Sequence, residues 1–435
     1  MRNATTVVPD QAIVPDQALV PADAPDTPWI NGARLLDRID RFAEIGGDEN
    51  GGVTRMGFGP ADREARSALV QEAVKAGLEA GIDAGGNVLV RRPDQGAGER
   101  PRLLIGSHLD TVANGGRLDG TYGVLAGLEV LQTLHETGTE TSHEIVVAAF
   151  ANEEGALFPQ PFWGSMVLAG RLDALPEDPR DYTGAPLREA LALTGGDLSR
   201  LDTAVWAPGS LAGYLEIHVE QGPVLERLGK PIGVVDSITG RTQLKVEVRG
   251  AAGHAGTTPM KGRRDPLVTA SQIVLTVRQL AEEQRLCRVA TVGRLDVSPN
   301  SPNTIAQSVQ FDVDLRDSTP HGLAAAEETL RGTLAALAHQ GGVEVTAEAT
   351  IRTAPVLTDR RLRAAVTRSA EELGLAHETL PSGAGHDAQV IADIAPVGMI
   401  FVPSTGGVSH VPEEHTAPED LVTGVDVLLR TVLGL

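Results

Sequence analysis

One cysteine, Cys287, stands in a chain of 435 residues. An intramolecular disulfide is therefore impossible, and so is a thiolate-rich zinc or iron–sulfur site. Any metal site must draw on His, Asp and Glu. Positive charge is also scarce: 37 Lys and Arg face 58 Asp and Glu, a formal net charge of −21. Phosphate recognition depends on Lys and Arg, so a generally basic nucleic-acid-binding surface is excluded. An anionic membrane surface would repel the chain. No run approaches the ~20 apolar residues that span a bilayer. The N-terminus carries Arg2 as its early positive charge but no long apolar core behind it, which makes a poor secretory signal. The expected location is cytoplasmic, with neither nucleic acid nor membrane as partner. A Gly-x-x-x-x-Gly-Lys-[Ser/Thr] loop, a well-placed Gly-x-Gly-x-x-Gly and a Gly-x-Ser-x-Gly nucleophile elbow are all missing, which argues against nucleotide binding and serine hydrolase chemistry.

What is present is ordinary globular material, 41% hydrophobic and 22% charged. The length exceeds the ~100–200 residues of a typical domain, so two domains or one with an insertion are expected. Residues 1–28 repeat a hexapeptide, Val7-Val8-Pro9-Asp10-Gln11-Ala12 in its first copy, too few times to bury a core and read as an extended arm. A helical pattern covers Ala61 to Ala80. Strand-like runs follow at Asn87–Arg91, Arg102–Ser107 and Glu144–Ala151, with a helical run Gly123–His135 between the last two. This alternation predicts an α/β fold: a mixed, mostly parallel sheet with helices on both faces. Ligands in such sheets collect beyond the carboxyl ends of the strands.

The rhythm changes in the middle. Strand patterns at Thr242–Arg249, Arg288–Val297, Gln307–Arg316 and Val343–Arg352 alternate with helical patterns at Asp265–Arg285 and His321–His339. That order, βαββαβ, is the ferredoxin-like split-βαβ arrangement. Residues 240–353 are thus expected to form an α+β domain inserted into a larger one built from 29–239 and 354–435.

Metal-type side chains sit where apolar strands stop. Gly106-Ser107-His108-Leu109-Asp110 alternates so that His108 and Asp110 share a face, one to bind a metal and the other to fix its imidazole. Asp119-Gly120 precedes a helix and offers a bridging carboxylate. In Asn152-Glu153-Glu154-Gly155 two adjacent acids would repel without a cation or proton between them. One can ligate while the other serves as general base. Leu215-Glu216-Ile217-His218-Val219-Glu220 puts His218 and two acids on one face, and Gly406-Gly407-Val408-Ser409-His410 follows the apolar run Val397–Val402. The candidates His108, Asp119, Glu154, His218 and His410 would serve two divalent ions that share a carboxylate, a pairing that activates water and polarises a carbonyl. Zinc suits the donors; manganese, cobalt or nickel accepts them too.

These runs, together with His218-Val219-Glu220-Gln221-Gly222-Pro223, Gly253-His254-Ala255-Gly256-Thr257-Thr258-Pro259-Met260, Gly383-Ala384-Gly385-His386-Asp387-Ala388 and Ser409-His410-Val411-Pro412-Glu413-Glu414, resemble the M20 metallopeptidase-like amidohydrolases. Within that family they resemble the branch of N-carbamoyl-L-amino-acid hydrolases, allantoate amidohydrolases and β-ureidopropionases. The resemblance implies that His108 and His218 hold one ion, that Asp119 bridges, and that Glu154 and His410 complete the second. It makes Glu153 the general base and Asp110 the residue that orients His108. It also implies that the inserted domain is a lid and dimerisation domain of a homodimer, with His254 reaching the partner's site to stabilise the oxyanion. Arg316 would bind the carboxylate of a small anionic ureido substrate, Asn303 would assist, Gln221 would contact the carbamoyl group, and His386 would line the pocket.

The implied activity is hydrolysis of an N-carbamoyl-L-amino acid to the amino acid, ammonia and carbon dioxide. Allantoate amidohydrolase or β-ureidopropionase activity is the alternative. Dipeptide or N-acyl-amino-acid cleavage is disfavoured because His218 stands where many peptidase-type members carry an acid. A non-catalytic binding protein would be expected to have lost Glu153 or a ligand, and all are present. Gly253, Ala306, Leu157 and the run Phe162-Trp163-Gly164-Ser165-Met166 depart from the family pattern without removing a ligand or the base.

Overall fold

A computed structural model describes residues 27–93, 100–172, 175–176 and 178–435. The arm expected over residues 1–28 lies outside the described residues up to position 26. The strands in chain order are β1 (Glu79–Ile82), β2 (Val88–Arg91), β3 (Arg102–His108), β4 (Glu144–Phe150), β5 (Leu211–Val219), β6 (Ile232–Ile238), β7 (Gly240–Arg249), β8 (Gly253–His254), β9 (Val289–Ser298), β10 (Thr304–Ile305), β11 (Ser308–Asp317), β12 (Glu344–Thr353), β13 (Val356–Leu357), β14 (His377–Ser382) and β15 (Val397–Val402).

The larger sheet runs β1-β2-β4-β3-β5-β15-β6-β13, with β14 also on β6. Its centre, β4-β3-β5-β15, is parallel. Antiparallel pairs lie at the margins, β1-β2-β4 on one side and β15-β6-β13 on the other. Alternate side chains explain the two-sided burial. Leu103, Ile105, Ile145 and Val147 enter the core shared with the helices Thr121–Glu136 and Pro418–Leu433. Leu104, Val146, Ala148 and Phe150 point the other way, into a core that includes Leu168 and Ile391. Each such fully buried aliphatic side chain contributes about 1.5–3 kcal/mol of apolar transfer free energy, before the conformational entropy lost on folding. Because four adjacent strands are parallel, their carboxyl ends open on one edge, where His108, the 152–154 loop, Gln221 and the loop to His410 emerge.

The helix expected to reach Ala80 stops at Lys75. Gly77 takes φ +77, and Leu78 N–H donates to the Ala73 carbonyl at 2.9 Å, a left-handed helix stop that frees Glu79–Ile82 to form an edge strand.

The smaller sheet, β12-β7-β11-β9, is antiparallel throughout. Helices Pro266–Glu282 and Pro320–Gly341 cover one face, burying Leu244, Val246, Phe311, Val313 and Leu315. The other face carries Arg241, Gln243, Asp314 and Arg316 and is open. The chain enters this sheet at Gly240 and leaves it beside Pro355. A side chain at Gly240 would sit 2.5 Å from the Pro355 ring, so the two crossings can lie this close only with glycine there. Among the described residues no helix is long and apolar enough to cross a membrane.

Candidate metal centre and cleft

The imidazoles of His108 and His218 are each pinned by a backbone carbonyl. His108 Nδ1 donates to the Asp110 carbonyl at 2.9 Å, and His218 Nδ1 to the Val219 carbonyl at 2.9 Å. A carbonyl can only accept, so each Nδ1 carries the hydrogen. At His218, Nε2 also accepts from Gly120 N–H at 3.1 Å, which makes that ring neutral. Yet both Nε2 atoms face the Asp119 carboxylate, whose Oδ1 lies 3.7 Å from His108 and 3.1 Å from His218. Charge alone would protonate His218: burial opposes this, but Asp119 outweighs burial and lifts the pKa to about 9. A divalent cation between two imidazole lone pairs and a carboxylate reconciles the neutral tautomer with the anion.

The second oxygen of Asp119 serves the other side. His410 Nε2 lies 2.9 Å from Asp119 Oδ2 and 3.4 Å from Glu154 Oε1. That Glu154 oxygen is buried without a hydrogen-bond partner, an expensive position for a carboxylate unless a cation meets it. Burial, then Asp119, pushes the Glu154 carboxyl up to about 8. Two donor clusters result, His108–Asp119–His218 and Asp119–Glu154–His410, each with its ligand atoms within 4.8 Å of one another and with Asp119 common to both. The donors are imidazole and carboxylate only, a set that fits zinc, manganese, cobalt or nickel alike.

Glu153 sits against this centre, its Oε2 3.7 Å from His108 Nε2. Burial first, then the charges of Glu154, Asp387, Asp110 and Asp119, drives its carboxyl well above the ordinary range. A group that favours its proton in such a site suits general acid and base work.

Asp110 departs from expectation. Its carboxylate is 3.8 Å from His108 Nδ1, and its carbonyl takes that hydrogen bond instead. The carboxylate accepts from the backbone N–H of Glu153 and Glu154, both at 3.1 Å. Asp110 thus positions the Glu153-Glu154 peptide. Glu220 also departs: it turns from the strand face to cap the helix Val224–Leu228 through Val224 and Leu225 N–H, both at 2.7 Å. Two supports were not foreseen. Glu414 accepts from the N–H of Leu118 at 2.8 Å and of Asp119 at 3.0 Å, fixing the shared carboxylate's backbone. Glu216 accepts from Ser107 and Tyr214 hydroxyls at 3.0 Å, below the centre. Gly120, at φ +62, belongs here because a Cβ would lie 2.4 Å from the His108 ring. Left-handed backbone at Asn152, Gln221 and His410 places strained residues in three of the site loops.

The centre opens into a cleft between the two sheets, with a cavity of about 710 Å³ beside the metal-type residues and one of about 1320 Å³ against the smaller sheet. Gln221, Arg241, Arg316 and His410 line both. Gln221 Nε2 donates to Asp119 at 3.0 Å, while its Oε1 is buried and unpartnered. His386 is buried with its Nε2 2.8 Å from Ser382 Oγ and its ring edge-on to His218 at 4.8 Å. His254 and Asn303 are not brought to the centre. Both are exposed: His254 pairs with Thr304 in the β8-β10 ladder, Asn303 just precedes β10 and its carbonyl accepts from Ala255 N–H at 2.9 Å, and neither lines the cleft.

The model of peptidase family M20/M25/M40 matches residues 104–434. The chain belongs to this family. Among M20 relatives, an N-carbamoyl-L-amino acid amidohydrolase of Geobacillus stearothermophilus is 40% identical over 406 residues, 93% of this chain and 99% of its own. An allantoate amidohydrolase of Bacillus subtilis is 36% identical over 401 residues, 91% of this chain and 95% of its own. The crystal structure of an amidase of the hydantoinase/carbamoylase family from Burkholderia multivorans superposes with a TM-score of 0.85 at 37% identity, covering 93% of this chain and 98% of that one. The M20 chain described here is accordingly a hydrolase of amide bonds other than peptides.

Proposed function

We propose that this protein hydrolyses the ureido C–N bond of an N-carbamoyl-L-amino acid, giving the L-amino acid, ammonia and carbon dioxide. The observation that carries the reading is the pair of donor clusters sharing Asp119, with Glu153 beside them. His108, Asp119 and His218 would hold one divalent ion, and Asp119, Glu154 and His410 the other. When bound, such ions acidify water and polarise a carbonyl. Glu153 takes a proton from the attacking water and delivers it to the leaving nitrogen; Asp110 holds the Glu153 backbone for both transfers. The free Oε1 of Gln221 is placed to accept from a carbamoyl N–H, and His386 closes the wall behind His218.

In this reading residues 240–353 form a lid, and the protein works as a homodimer. The outer side of helix Pro266–Glu282 exposes Leu267, Val268 and Leu275, and β9 is a free sheet edge bearing exposed Val289 and Leu295, an apolar surface suited to a second copy. His254 and Asn303, exposed and outside the lining of their own cleft, would then serve the partner's site, with His254 donating to the oxyanion. Allantoate is the second candidate, favoured by the Bacillus subtilis relative. Ammonia release from N-carbamoyl-L-methionine, allantoate and N-carbamoyl-β-alanine by metal-loaded protein ranks these substrates. Release fastest from the first supports the reading, and no release from any of them sinks it.

A further inference from the structure

Arg241 and Arg316 stand directly opposite each other in the β7-β11 ladder, on the face that looks into the cleft. Like charges at such paired positions ordinarily destabilise a sheet. Here one carboxylate serves both: Asp314 Oδ2 accepts from Arg241 Nε at 2.7 Å, and its Oδ1 from Arg316 Nε at 3.0 Å. The remaining nitrogens differ. Arg316 Nη1 donates to the Gly383 carbonyl at 3.0 Å and Nη2 reaches Asp314 at 3.5 Å, so each of its three nitrogens already has one partner. Arg241 uses only Nε among the described residues, leaving both Nη groups as free donors. In the cavity beside the metal-type residues the other guanidiniums are matched, Arg171 with Asp393 and Arg352 with Glu327. Two guanidiniums on one carboxylate leave a single uncompensated positive charge, which one substrate carboxylate would neutralise.

We infer that Arg241 binds the substrate's carboxylate directly, beside Arg316, and sets the requirement for an acidic substrate. The inference rests on the functional reading above for the identity of the ligand. It assigns a second cation to carboxylate recognition: Arg241 supplies the free Nη donors while Asp314 holds both guanidiniums in register.

The test measures binding apart from turnover. In a metal-loaded Glu153→Gln background, calorimetry compares N-carbamoyl-L-methionine with its carboxamide. Adding Arg241→Ala weakens binding of the carboxylate by about tenfold or more, the scale of one charge-assisted hydrogen bond, and leaves the carboxamide within about twofold. Equal loss for both ligands, or for neither, overturns the assignment. Arg241→Ala combined with Asp314→Asn separates direct contact from an effect relayed through Asp314 onto Arg316. A persisting carboxylate-specific defect supports contact, and restored affinity overturns it. Ammonia release by the unaltered protein is scored independently. Its absence removes the ureido reading, while a carboxylate-selective loss of binding still supports the Arg241 assignment.

Discussion

The two walls of the cleft are built in contrasting ways. At the carboxyl ends of β3, β4 and β5, His108, Asp119, Glu153 and His218 are buried; backbone carbonyls hold the two imidazoles, and the carboxylates of Asp110 and Glu414 hold the peptides that carry Glu153 and Asp119. On the smaller sheet, Arg241 and Arg316 are half-buried; beside it and outside the cleft lining, His254 and Asn303 are exposed. The first wall is fixed within one chain before any substrate arrives, as electrostatic catalysis requires. In the function proposed above, the second is a set of cations and donors that a second copy would complete. Chemistry and recognition therefore depend on different parts of the fold and should fail separately.

The largest expected effect is on the buried wall. Glu153→Gln should lower kcat by about 10²–10⁴-fold, the range of general acid–base catalysis, with metal content by elemental analysis unchanged. Retained turnover would remove Glu153 as the base. Next comes the exposed wall. His254→Ala should cost about 10²–10³-fold in kcat, as loss of an oxyanion donor does, although the residue is remote from the centre of its own chain. Arg316→Ala should raise KM about ten- to a hundredfold for a carboxylate substrate and spare a neutral analogue, since a hydrogen bond to a charged group is worth roughly 1.5–3 kcal/mol. Equal damage to both substrates would place Arg316 in the scaffold instead.

The smallest effect tests whether stability far from the cleft is separable from either wall. The Arg41 hydrogen bond, ahead of the opposing push of burial, draws Glu72 down to about 2. A depressed carboxyl stabilises the fold above its unfolded value near 4.3, and that contribution fades as pH falls towards about 2. Urea midpoints between pH 5 and pH 3 should therefore drop more for the native chain than for Glu72→Gln, with kcat at neutral pH equal in both.

Much of the buried wall was legible in the sequence because strands advertise their ends: an apolar run, then His, Asp or Glu, then glycine. The α/β order and the βαββαβ insertion followed from the same periodicities. What was not legible depends on where regularity stops. Alternation put Asp110 beside His108, but β3 ends at His108, so Asp110 swings to the next loop and holds Glu153. Glu220 fails for the same reason, one residue past the end of β5. Glu414 lies almost three hundred positions from the Asp119 backbone that it fixes. Arg241 carried no motif at all. Its meaning appears only once the β7-β11 register sets it against Arg316.

The contrast between the walls is tested most directly by complementation. Glu153→Gln and His254→Ala chains are co-expressed in equal amounts, and ammonia release from N-carbamoyl-L-methionine is compared with either variant alone. If the exposed wall serves the neighbouring copy, each mixed dimer has one site with both residues intact, and activity recovers to about a quarter of the native value. If His254 acts within its own chain, every site in a mixed dimer lacks one residue. Activity then stays at the level of the separate variants, and the account is contradicted.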